Sequence, residues 1–104
     1  MKTVRIAWPH AEIAALCAKF RVVELAVFGS VLRADFRDDS DVDVLIVFAP
    51  EAGASLFDQI AFADALSALC GRKVDVHTRR GVERSRNAVI RHEILSTAQV
   101  MHAA

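Results

Sequence analysis

The sequence has little cysteine, no excess of charge and no long apolar run, and each lack removes a class of function. Its two cysteines, Cys17 and Cys70, occupy apolar positions of helix-like stretches. They read as small core residues in a reducing cytoplasm, not as a disulfide framework. Thirteen basic residues offset thirteen acidic ones, for a formal net charge of +0. A balanced chain has no general attraction for nucleic acid or membrane surfaces. No segment is long enough to span a bilayer. The opening MKTVRIAWPHAEIAALCAKF begins with basic residues, but Pro9, His10 and Glu12 interrupt the apolar run that a signal peptide needs. Repeats, low-complexity tracts and linkers are missing too. What is present is 104 residues, 54% of them hydrophobic. That is enough apolar surface to bury a core, and it predicts a single domain over 1–104.

Ile13, Leu16, Cys17 and Phe20 recur at helical spacing behind Pro9, which predicts a helix over 9–20. RVVELAVF, 21–28, reads as a strand stopped by Gly29-Ser30. Asp43 to Phe48 reads as a second strand, apolar on both faces and ended by Pro50. Ser55 is placed to cap a helix with Asp58 near its positive end, and Gly71 to stop it. Its apolar residues fall in two adjoining stripes, Leu56, Ile60 and Ala63 beside Phe62, Leu66 and Leu69. KVDVHT, 73–78, is a third strand. A helix over 82–95 and a short strand over 98–102 complete the reading. Strands separated by helices predict an α/β (α+β) class: one small mixed β-sheet with helices packed on it.

Within this frame the stretch FGSVLRADFRDDSDVDVLIVF, 28–48, carries an oddity. Alternation along a strand puts Asp41 and Asp43 on one face at the mouth of a buried strand. Two such positions lie roughly 6.5 Å apart, and like charges at that range repel by on the order of 2 kcal/mol at an effective dielectric near 20. A divalent cation reverses that penalty, because Mg²⁺ prefers hard oxygen ligands and is held by one or two carboxylates plus substrate phosphates. Asp75 is the third candidate, set among Val74 and Val76. If its strand lies beside 43–48, three carboxylates meet at one sheet end. Upstream, Gly29 lets a backbone turn approach a ligand, and free N–H groups at such a turn favour phosphate. Ser30 adds a hydroxyl, and Arg33 can reach the same anion.

Gly29-Ser30, ten residues, then Asp41-Val42-Asp43 matches the Gly-Ser-x10-Asp-x-Asp signature of the DNA polymerase beta-like nucleotidyltransferases. The whole chain resembles the smallest of these, the minimal nucleotidyltransferase (MNT) antitoxins, from the first helix to the last. The resemblance implies the polymerase beta-like fold. It implies that Asp41 and Asp43 bind metal with Asp75 as the third acidic residue, and that Gly29, Ser30 and Arg33 bind the nucleotide. Many relatives carry glycine after that arginine, where this chain has Ala34. The resemblance further implies a cytoplasmic enzyme using ATP and Mg²⁺, with two ions expected, that attaches AMP to a tyrosine of a cognate HEPN-domain ribonuclease toxin. Larger relatives carry a second domain for their substrate, so a chain of this length would take its acceptor surface from its partner.

Other readings remain: an antitoxin that works by contact alone, a nucleotidyltransferase with another hydroxyl acceptor, or nucleic-acid binding through RRGVERSRNAVIRHE, 79–93. The last stretch contains acidic residues and no aromatics, so it reads as a solvated helix face rather than a stacking platform. His10, His77, His92 and His102 show no metal-ligand spacing. Only His77 falls near the proposed site, on the strand face of Asp75.

Overall fold

The computed structural model describes residues 8–29 and 41–104. Helix α1, His10–Phe20, follows Pro9 and ends where Arg21 turns left-handed at φ 58°. There the Arg21 N–H reaches back to Ala18 O and Cys17 O. Arg21 therefore closes the helix instead of opening the strand, and β1 begins one residue later, Val22–Phe28. Strand β2 is Val42–Phe48. A short 3-10 turn at Pro50–Ala52 leads to helix α2, Leu56–Cys70. Its N-terminus is a reciprocal capping box: Ser55 Oγ accepts the Asp58 N–H at 3.3 Å, and the Ser55 N–H donates to Asp58 Oδ2 at 2.7 Å. Gly71, at φ 67°, ends it. Strand β3 is Val74–Thr78 and strand β4 is Gln99–Ala103.

The helix expected over 82–95 is two helices. Helix α3, Arg79–Glu83, is capped by Thr78 Oγ1, which accepts the Gly81 N–H at 3.1 Å. Helix α4, Ala88–Thr97, starts anew from Asn87, whose Oδ1 accepts the Ile90 N–H at 3.1 Å. Serine and asparagine offer the backbone local hydrogen bonds that compete with the helical ladder, and the SRN segment between the helices holds both.

The four strands form one mixed sheet in the order β3-β2-β1-β4. Strand β1 is antiparallel to β2 and to β4, while β2 and β3 are parallel. Period-two alternation gives the central strands two apolar faces. On one, Leu25, Val27, Val42, Val44, Ile46 and Val74 pack against Ile13 and Cys17 of α1 and Phe62 and Leu66 of α2. On the other, Ala26, Phe28 and Leu45 meet Val82 of α3 and Ile94 and Leu95 of α4. Cys17 is fully buried, and loss of hydration pushes its thiol up to about 11. Burial also raises Cys70, with Arg72 pulling the other way. Both are free thiols, Cys17 in the core and Cys70 partly covered beside it.

Of the two stripes expected on α2, only Phe62 and Leu66 are buried; Leu56 is 68% and Ile60 50% exposed. The helix lies over the edge strand β3 with α1 on its flank, so only a narrow line of it meets the core. No described helix is long and apolar enough to cross a membrane.

Candidate functional site

Strand pairing brings the acidic residues to one end of the sheet. In the register of β1 with β2, Phe28 stands opposite Asp43; in that of β2 with β3, Asp43 stands beside Asp75. The Val42 N–H donates to Lys73 O at 3.0 Å where the parallel pair begins, which sets Asp41 beside Lys73. Asp43, Leu45, Asp75 and His77 then share the sheet face that carries α3 and α4. Leu45 on this face is buried, whereas Asp43 and Asp75 are only partly covered. The apolar interior thus gives way to carboxylates at the rim.

Gly29 follows β1 and bends back against this rim. Its φ is +75°, in the left-handed region, and a Cβ there would stand 2.8 Å from Asp43 Oδ2. Two independent constraints therefore require glycine: the backbone angle, and the contact between the turn and the carboxylate. Ser30 and Arg33 lie outside the described residues.

Lys73, outside the sequence motif, precedes the edge strand β3 and reaches the rim with its side chain. Its Nζ is 3.8 Å from Asp41 Oδ2 and 3.8 Å from Asp75 Oδ1. A signal for it was available, since Lys73 is two residues before Asp75 and so shares its face. Strand β3 is held in place by two further side chains that sequence patterning did not single out. Ser67 Oγ accepts the Val74 N–H at 2.9 Å while donating to Ala63 O at 2.8 Å. Gln59 Nε2 donates to Val76 O at 2.9 Å. Both tie α2 to the strand that carries Asp75. His77 packs against Phe28, ring centroids 5.6 Å apart.

The donor set suits a hard divalent cation: carboxylate oxygens from adjacent strands, with a cationic ammonium already drawn between two of them. As they stand, the carboxylates are not closed about one point. Among the described residues, no three His, Cys, Asp or Glu side chains group tightly enough to hold a metal ion together. The arrangement offers acidic ligands on one side, a glycine turn able to approach an anion on another, and partial solvent access from outside.

This combination agrees with what the chain is similar to. A model of the nucleotidyltransferase domain family matches residues 13–98. The protein adenylyltransferase MntA of Thermococcus cleftensis is 43% identical over 58 residues, which are 56% of this chain and 57% of that protein. The matched segments thus span less than two thirds of the first curated relatives, 57% and 64% of their lengths. A solved structure described provisionally as a minimal nucleotidyltransferase superposes with a TM-score of 0.66 at 35% identity, covering 86% of this chain and 85% of the other. A crystal structure of a toxin-antitoxin with AMP-PNP gives a TM-score of 0.70 at 16% identity over 93% of this chain and 75% of its own, a likeness of fold. With a family match over most of its length, the sheet order that sets Asp43 beside Asp75, and the glycine turn pressed against Asp43, the chain belongs to the nucleotidyltransferase domain family.

Proposed function

We propose that the protein is a Mg²⁺-dependent protein adenylyltransferase, the antitoxin of a HEPN/MNT pair, which moves AMP from ATP onto a tyrosine hydroxyl of a cytoplasmic HEPN-domain ribonuclease toxin and so silences it. The observation that carries this reading is the lateral pairing of Asp43 with Asp75 beside the Gly29 turn. The names of its relatives, a protein adenylyltransferase and a toxin-antitoxin with AMP-PNP, support it.

Asp41, Asp43 and Asp75 would hold the metal, which when bound neutralises charge on the nucleotide phosphates and on the departing pyrophosphate. The acceptor oxygen attacks the α-phosphorus, the bond from that phosphorus to the β-phosphate bridging oxygen breaks, and pyrophosphate leaves. Asp75 takes the hydroxyl proton. Its side chain is 39% exposed, so a hydroxyl carried on another protein can reach it. Gly29 and Ser30 fix the terminal phosphates through backbone and hydroxyl donors, and Arg33 adds a positive charge to the same anion.

The test is intact-mass measurement of the partner toxin after incubation with this protein, ATP and Mg²⁺. The toxin gains the mass of adenylyl groups with the wild-type protein, and the rate falls by at least about a hundredfold with Asp43→Asn, whose fold is kept because a half-buried carboxylate becomes a neutral isostere. A toxin silenced with unchanged mass favours inhibition by contact, and undiminished transfer by Asp43→Asn refutes the site.

A further inference from the structure

We propose that Lys73 is an exchangeable counter-ion: it holds Asp41 and Asp75 together before metal binds, and moves to the nucleotide phosphates when metal takes its place. The inference rests on the nucleotidyltransferase reading above and deepens it.

Three observations carry it. The Lys73 Nζ is equidistant, at 3.8 Å, from one oxygen of Asp41 and one of Asp75. That distance is longer than a directed N–H···O hydrogen bond, so the contact is one of charge, held loosely. The lysine side chain is 69% exposed and so has room to swing on its flexible stem. Finally, among the described residues the carboxylates do not close into a three-ligand group, and the ammonium is within ion-pair range of two of them.

A divalent ion would be drawn to these carboxylates more strongly than the loosely held monovalent ammonium. Metal held by Asp41 and Asp75 would compete with Lys73 for these carboxylates and release its ammonium. Displaced outward from the rim, it meets the triphosphate that the glycine turn and metal bring there, and a charge-assisted contact to phosphate replaces the two carboxylate pairs. Removing Lys73 therefore has opposite consequences for two ligands. Metal loses a competitor, while nucleotide loses a ligand.

The experiment titrates Mn²⁺ into nucleotide-free wild-type, Lys73→Met and Lys73→Arg proteins, following free Mn²⁺ by electron paramagnetic resonance, with Asp43→Asn marking the share of binding that belongs to the site. AMP-PNP is then titrated at saturating Mn²⁺. Lys73→Met should bind Mn²⁺ about three- to tenfold more tightly, the effect of losing a pair of exposed ion contacts, and AMP-PNP more weakly by a similar factor; Lys73→Arg should stay near wild type. If either sign is missing in Lys73→Met while the wild type binds both ligands, the exchange is overturned and the nucleotidyltransferase reading stands. A folded wild-type protein that binds no Mn²⁺ at the site overturns both.

Discussion

Gly29 has two requirements that separate cleanly by mutation. Alanine there meets the cost of a left-handed backbone, about 1–2 kcal/mol, and its Cβ also presses on Asp43 Oδ2. Gly29→Ala should therefore lower the unfolding free energy measured in urea by at least the backbone cost and also slow transfer, because the carboxylate is pushed aside. In an Asp43→Ala background the steric part disappears and only the backbone cost remains, a coupling that a double-mutant cycle measures. Equal costs in the two backgrounds would mean that turn and carboxylate do not touch. The carboxylates were legible in the sequence because a buried strand that opens with aspartates is an expensive arrangement without a use. Lys73 was legible only by counting: two residues before Asp75, it had to share that face, yet an exposed lysine at a strand start has too many ordinary explanations to stand out.

Strand β3 lies at the edge of the sheet and must still present Asp75 at a fixed place. Its register with β2 supplies one constraint, and α2 supplies the other through Ser67 and Gln59. Ser67→Ala leaves the Val74 N–H without this partner and should cost about 1–2 kcal/mol. It should also speed hydrogen exchange at the Val74 amide and slow transfer, by letting the start of β3 drift. Ser67→Thr keeps the hydroxyl and should retain most of both. A Ser67→Ala protein with unchanged stability and Val74 exchange would show that the link carries no weight. Strands and capped helices were readable because their signals are local: alternating valines, the Ser55–Asp58 box, Gly71. What escaped was decided by competition within a few residues. Arg21 accepts a left-handed angle to satisfy the last carbonyls of α1, and the hydroxyl and amide groups near 85–87 outbid the helical ladder expected across 82–95.

For the molecule as a whole, a sheet apolar on both faces is covered by α1 and α2 on one side and by α3 and α4 on the other. The end where β1 finishes and β2 and β3 start is polar and carries Asp43 beside Asp75. Local patterns predicted the class and the mixed sheet, but strand order depends on contacts distant in sequence, and the meeting of Asp43 and Asp75 followed only once β3 was known to lie parallel beside β2. The cysteines fit the same picture: the thiol of Cys17, pushed up to about 11, stays protonated in the core near neutral pH. The most direct test of the central claim, that this polar end receives metal and nucleotide together, is amide-resolved NMR with Mn²⁺ and AMP-PNP. Paramagnetic broadening should be strongest at Gly29, Asp43 and Asp75, decline along the strands toward Val22, Phe48 and Ala103 at the far end, and largely vanish in Asp43→Asn. Broadening centred elsewhere, or unchanged in that variant, would contradict the account.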